Sequence, residues 1–222
     1  KLMVDYSINF KIAIDGSSAS GKTTGSKYIS KKFDLKLLSS GKLYRYLALK
    51  IINNNNKYNR EFVKKISKDI SLKKLNNAQL YNSNVTKLSS IIAKKKFVRN
   101  SLKKFQINFI KKNKRLVIEG RDIASKILPN ADLKIFFTCS LEEKAKRRLK
   151  EFKKIDKNYT INDVKKALKL RDFSDKNRKE SPLLFVKGAV LVDTTNLNIN
   201  EMQAKLNKLV NKGIKNKKYG NI

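Results

Sequence analysis

Histidine and tryptophan are absent from this 222-residue chain, and cysteine occurs once, at Cys139. Without histidine, imidazole acid–base chemistry and His-ligated metals are excluded. A single cysteine makes no internal disulfide and no multi-cysteine metal site, and it fits a reducing compartment. It follows the apolar run Leu133-Lys134-Ile135-Phe136-Phe137 and reads as a small semi-buried side chain. Only two prolines and eight glycines occur, and no Pro/Gly-rich linker divides the chain. No apolar run approaches the roughly 20 residues that cross a bilayer. Lys1 to Phe10 lacks an apolar stretch followed by small residues, so no signal peptide is expected. These absences predict a soluble, cytoplasmic protein with no membrane partner.

Acidic residues are also scarce: 18 Asp and Glu stand against 53 Lys and Arg, a formal charge of +35. Such a balance raises nucleic-acid binding. The lysines are nevertheless spread along the whole chain, and they travel with abundant Asn and Ile, including the run Asn53 to Asn56. A biased amino-acid composition explains most of the charge, and no specific nucleic-acid partner is expected. A positive field would also aid capture of small polyanions.

What is present is more specific. Gly16 to Thr23 reads G-S-S-A-S-G-K-T and fits the phosphate-cradling pattern G-x-x-x-x-G-K-[ST] at every fixed position. Lys11-Ile12-Ala13-Ile14 before it reads as a buried strand, and Thr24 to Phe33 after it as a helix, which is the setting the motif requires. Gly16 and Gly21 permit the backbone angles and close approach of such a loop. Its N–H groups and the positive helix end would face phosphate oxygens. The expected nucleotide-binding set is Gly16, Ser17, Ser18, Ala19, Ser20, Gly21, Lys22, Thr23 and Thr24, with Lys22 on the β- and γ-phosphates and the Thr23 hydroxyl on Mg²⁺. The ligand is a nucleoside triphosphate.

Further strands are expected at Leu35–Leu38, Leu116–Ile118, Leu133–Phe137 and Ala189–Val192. Helical spacing marks Leu43–Ile52, Phe62–Ile66, Ser90–Phe109, Leu141–Lys154, Ile161–Phe173 and Glu201–Val210, with a tail fraying from Asn211. Weak strand-like pieces fall near Ile70–Leu72 and Gln79–Tyr81. Strands alternating with helices give an α/β fold, a five-stranded parallel sheet covered on both faces. Ligand groups are expected beyond the carboxyl ends of the strands, where Asp15, Ser39-Ser40, Glu119 to Asp122, Thr138 and Asp193 stand.

Three further motifs follow in order: Ser40-Gly41-x-x-Tyr44-Arg45, Gly120-Arg121-Asp122, and Arg171-Asp172-x-x-Asp175-x-x-Arg178. With the phosphate loop they resemble the signature of bacterial cytidylate kinase, from Lys11 to about Met202. The resemblance implies a P-loop nucleoside monophosphate kinase fold, one kinase domain over residues 8–222. Its core would be 8–52, 90–140 and 189–213, its monophosphate-binding insertion about 53–89, and its small helical lid about 141–185. It implies transfer of the γ-phosphoryl group of ATP, with Mg²⁺, to CMP or dCMP, by an enzyme expected to be a monomer.

The chemistry suits the residues. Phosphoryl transfer is mostly positioning and neutralisation of charge, and arginine forks bridge phosphate oxygens. Arg45, Arg121, Arg171 and Arg178 remain arginine in a chain that otherwise favours lysine. By resemblance, Lys22, Arg121 and Arg178 are catalytic. Ser40, Arg99 and Asp122 would read the cytosine edge, and Arg45, Arg121 and Arg178 would hold the acceptor and transferring phosphates. Gly41 and Tyr44 belong to the acceptor motif, and Ser90, Arg171 and Asp175 would contact the sugar. Arg147 and Arg148 either brace ATP or are surface charges. Ser39 and Glu119 depart from the usual Asp at both positions, and the lid carries fewer arginines than the pattern. The rival readings are a small P-loop kinase for another acceptor, and a P-loop ATPase acting on nucleic acid.

Overall fold

The computed structural model describes residues 8–153 and 159–220. The chain forms two compact units, one from the segments up to Leu37 and from Lys114 onward, the other from Leu38 to Asn113.

The sheet has strands β1 (Phe10–Gly16), β2 (Lys36–Ser39), β3 (Arg115–Gly120), β4 (Leu133–Thr138) and β5 (Ala189–Asp193), in the spatial order 2-3-1-4-5; all of it but the last two residues of β2 belongs to the first unit. β1 is central and runs parallel to β3 and β4, and β4 runs parallel to β5. Side chains alternate across a strand, so Phe10, Ile12 and Ile14 share a face with Val117, Ile135, Phe137 and Val192. That face is covered by Ile29 of α1 (Lys22–Lys32), by Phe33 just after it, and by Met202, Leu206, Val210 and Ile214 of α8 (Ile199–Tyr219). Fully burying each such side chain contributes about 1.5–3 kcal/mol. α8 runs nine residues beyond the expected Val210, because Val210 and Ile214 continue its buried stripe; the tail is helical to Tyr219 instead of fraying at Asn211.

Also in this unit are α6 (Leu141–Phe152) and α7 (Ile161–Asn177), which pack on each other around Ala145, Val164 and Leu168. The expected end of the first of these helices at Lys154 lies outside the described residues. A single wide helical turn at Ile123–Ile127, not foreseen from sequence, follows β3.

The second unit is helical: α2 (Ser40–Ile52), α3 (Arg60–Lys68), α4 (Ser83–Ile92) and α5 (Lys96–Lys112), with α2 against α4 and α3 against α5. The long helix expected over Ser90–Phe109 is two helices, broken at Ala93-Lys94-Lys95. No strand forms at 70–72 or 79–81; Ala78–Tyr81 is a short 3₁₀ turn that buries Leu80. The asparagines that dilute the hydrophobic pattern act as helix caps here: Asn59 and Asn82 accept from Phe62 N and Asn84 N. Among the described residues no helix is long and apolar enough to cross a membrane.

Candidate active site

β1 ends by handing the chain to the loop. A Cβ on Gly16 would lie 2.2 Å from the Phe137 carbonyl oxygen, so the loop leaves the sheet against β4 only because residue 16 has no side chain. Gly21, at φ 85°, supplies the left-handed turn that starts α1 at Lys22. The first turn of α1 carries no acidic residue, and no side chain caps it. Lys22, Thr23 and Thr24 therefore present amides at a positive helix end, a ready anion site. Ser20 Oγ donates to the Ser17 carbonyl at 2.9 Å, and Thr194 Oγ1 to the Ser20 carbonyl at 3.1 Å, which fix the loop's far limb.

Lys22 is buried, and its Nζ donates to the Ser17 carbonyl at 2.7 Å. Burial, reinforced by the nearby Arg121, pushes its pKa down to about 7. Thr23 Oγ1 donates to Glu119 Oε1 at 3.0 Å. This joins the loop's hydroxyl to the carboxylate that ends β3, and glutamate in place of aspartate still reaches it. The pair is all oxygen, hard donors of the kind Mg²⁺ takes alongside phosphates. Asp15 accepts from Ile123 N at 2.9 Å and Ala124 N at 2.7 Å, and burial raises its pKa to about 6. It anchors the wide helical turn after Asp122, which is itself buried.

α7 brings the arginine motif to the same strand ends. Arg121 Nε donates to Asp175 Oδ2 at 2.8 Å, and Arg178 Nη1 lies 3.5 Å from Asp175 Oδ1. Burial alone would raise the Asp175 pKa, but Arg121, then Arg171 and Arg178, hold it below the ordinary carboxylate range. Arg178 also donates through Nε to the Ser181 carbonyl at 2.7 Å. Arg147 is pinned by Glu143 and by Thr194, donating to Oγ1 at 3.0 Å and to the carbonyl at 2.7 Å; its Nη1 is 3.8 Å from where a Gly21 Cβ would be. Arg148 pairs instead with Glu151 on the surface of α6. Of the two, Arg147 is the one at the loop.

The other acceptor candidates lie in the second unit. Ser40, at the start of α2, is buried, and Gly41 beside it is exposed. Arg45 donates to the Leu80 carbonyl at 2.9 Å and to Thr86 Oγ1 at 2.7 Å, and its guanidinium lies over Tyr81. Arg99 is buried, donates to the Ala93 carbonyl at 3.0 Å and stacks over Tyr44 at 5.5 Å. Ser90 donates to the Thr86 carbonyl at 3.2 Å. Tyr44 and Arg99 thus form one cluster in this unit, and Arg45 and Ser90 meet through Thr86.

Four residues in or next to these contacts, among them Asp172, which accepts from Ser18 N, and Lys144, which pairs with Asp172, carry little signal in sequence. Asp15 and Thr194 stand at strand ends and could be suspected on that ground. Asp172 falls within a motif without an assigned duty. Lys144 is one lysine among many.

A parallel sheet with a phosphate loop between its central strand and first helix, and arginines converging from β3 and α7, defines a P-loop nucleoside monophosphate kinase-like fold. A crystal structure from Thermus thermophilus shares that fold, with a TM-score of 0.50 at 16% identity over 92% of this chain and 97% of the other. The family profile described as Cytidylate kinase matches residues 12–212. A cytidylate kinase of Rickettsia felis is 39% identical over 89% of this chain and 90% of its own. One of Fusobacterium nucleatum is 36% identical over 92% and 98%. The chain belongs to the cytidylate kinase family and is an ATP-dependent nucleoside monophosphate kinase.

Proposed function

We propose that the enzyme transfers the γ-phosphoryl group of ATP to CMP or dCMP, giving ADP with CDP or dCDP, within pyrimidine nucleotide metabolism. The observation that carries the reading is Arg121 and Arg178 gathered on Asp175 in the same unit as the phosphate loop. Two anions repel, and a kinase that joins them needs guanidinium groups fixed before the substrates react.

In this reading the loop amides and Lys22 hold the β- and γ-phosphates of ATP. Thr23 and Glu119 hold Mg²⁺, whose charge neutralises the phosphate oxygens when it is bound. Arg121 and Arg178 take up the charge of the transferring group. Ser40, Arg99 and Asp122 read the cytosine edge, where a site built to hydrogen-bond one base rejects others by leaving polar groups unpaired. Arg45 holds the acceptor phosphate, supported by Gly41 and Tyr44. Ser90, Arg171 and Asp175 contact the sugar. The kinase domain runs over 8–222, with residues 53–89 as the monophosphate-binding insertion and 141–185 as the lid. We place the enzyme in the cytoplasm as a monomer without a nucleic-acid or membrane partner.

A coupled assay of ADP formation across CMP, dCMP, UMP and AMP tests the assignment. CMP or dCMP is expected to give the highest kcat/KM. A preference for another monophosphate, or ADP formation with no acceptor, contradicts it.

A further inference from the structure

Asp172 stands between Arg171 and Asp175 and has no role in the scheme above, yet its carboxylate connects three elements. Oδ1 accepts the backbone amide of Ser18, in the middle of the phosphate loop, at 3.1 Å. Oδ2 accepts from Lys144 Nζ of α6 at 2.5 Å. The two side chains are 14% and 8% exposed, so this is no solvated surface pair of small consequence. Taking both charges out of water is expensive, and it is repaid only when each is fully engaged. Here the second carboxylate oxygen is committed to a loop amide.

The geometry of α7 extends the point. Residues three apart share a helix face, and Asp172 and Asp175 are such a pair. Through Asp175 that face sets Arg121 and Arg178. Through Asp172 it holds Ser18, next to Ala19, whose left-handed backbone (φ 56°) makes the loop conformation a specific one. One helix face thus holds both the loop backbone and the arginines.

We propose that Asp172 is a positioning residue: by accepting the Ser18 amide it fixes the phosphate loop and the rotation of α7 together, with Lys144 as its counter-ion, so that loop and arginines keep one geometry through phosphoryl transfer. The inference rests on the kinase reading given above. The alternative is that Asp172 serves only to neutralise a buried lysine.

Two charge-balanced double variants separate these roles. D172N/K144M keeps an oxygen for the Ser18 amide, whereas D172A/K144M removes it, and neither leaves a lone buried charge. Steady-state kinetics with ATP and CMP varied independently should show kcat of the alanine variant down by about tenfold or more, since small misplacements at a reacting centre are costly. Its KM for CMP should change less than kcat, as for an interaction felt in the transition state. The asparagine variant should keep more than about a third of wild-type kcat. Equal kcat in the two variants, high or low, overturns the proposal. Hydrogen exchange at the Ser18 amide gives a second reading that does not depend on a variant folding. Protection in the wild-type protein is expected, and an unprotected amide overturns the proposal. Wild-type protein without CMP-dependent turnover refutes the kinase reading itself, and this inference with it. Turnover in the wild type with an unimpaired alanine variant refutes the inference alone.

Discussion

Replacing Lys22 by methionine should make the protein more stable and inactive at once. The ammonium is buried, and its pKa falls to about 7. Against the ordinary lysine value that displacement corresponds to about 5 kcal/mol, at about 1.4 kcal/mol per tenfold. The folded protein carries the whole of this penalty below pH 7. Methionine fills a similar volume without charge; the Ser17 carbonyl loses the ammonium but keeps Ser20 Oγ, so the lost hydrogen bond costs at most about 1–3 kcal/mol. The balance is a gain of about 2 kcal/mol or more, and for a chain of this size about 4–8 °C in Tm. The sign of the pH dependence follows. Between pH 7 and the ordinary lysine pKa the unfolded chain holds the proton and the folded one releases it, so wild-type stability rises with pH there. The advantage of Lys22→Met should therefore be full at pH 6 and should shrink steadily toward pH 9.5. Calorimetry of both proteins at those two pH values checks this, and coupled kinetics should show turnover down by about 10²-fold or more. A variant less stable than wild type at pH 6, or a gap independent of pH, would refute the reasoning that burial of this charge is borne for function.

Asp15→Asn should flatten a second pH dependence: the raised Asp15 pKa of about 6 means wild-type stability is full at acid pH and declines as pH rises toward and through 6, by about 3 kcal/mol. Urea midpoints at pH 4 and 6.5 check it, and an unchanged decline in the variant points elsewhere. Arg178→Lys keeps the charge but loses the fork, so kcat should fall about tenfold or more while the KM for CMP changes little. A rise in that KM alone, with kcat intact, would make Arg178 a ground-state binder. Duplex and single-stranded DNA should bind only weakly and lose affinity steeply up to about 0.2 M salt, as diffuse charge does. Tight binding retained there would show that the basic surface is a site.

The sheet and its site are legible in the sequence because local and long-range signals agree there. The apolar runs of β1 and β3 are buried on both faces and therefore nearly continuous in sequence, β4 buries Ile135 and Phe137 on one face, and the loop glycines have no substitute at those backbone positions. The helical unit is harder to read. Its Asn and Lys residues interrupt the apolar spacing, so the short turn around Leu80 resembles a strand and the break at Ala93–Lys95 leaves no mark. α8 reads short because half-buried Asn211, exposed Lys212 and Gly213 interrupt the apolar pattern between Val210 and Ile214. Arginines stand out against a lysine background, which marks Arg121 and Arg178, the two that meet on Asp175, as candidates. Lys144 is lost in the same background, since nothing in a lysine-rich sequence marks the one whose ammonium is drawn inward by Asp172.

The most direct test of the central claim is phosphorus NMR of ATP and CMP incubated with the enzyme and Mg²⁺. Transfer predicts that the β-phosphate resonances of ADP and CDP grow together in equal amounts, that inorganic phosphate stays absent, and that no ADP forms when CMP is omitted. Growth of inorganic phosphate in step with ADP, with or without CMP, would contradict the account and make the protein a hydrolase.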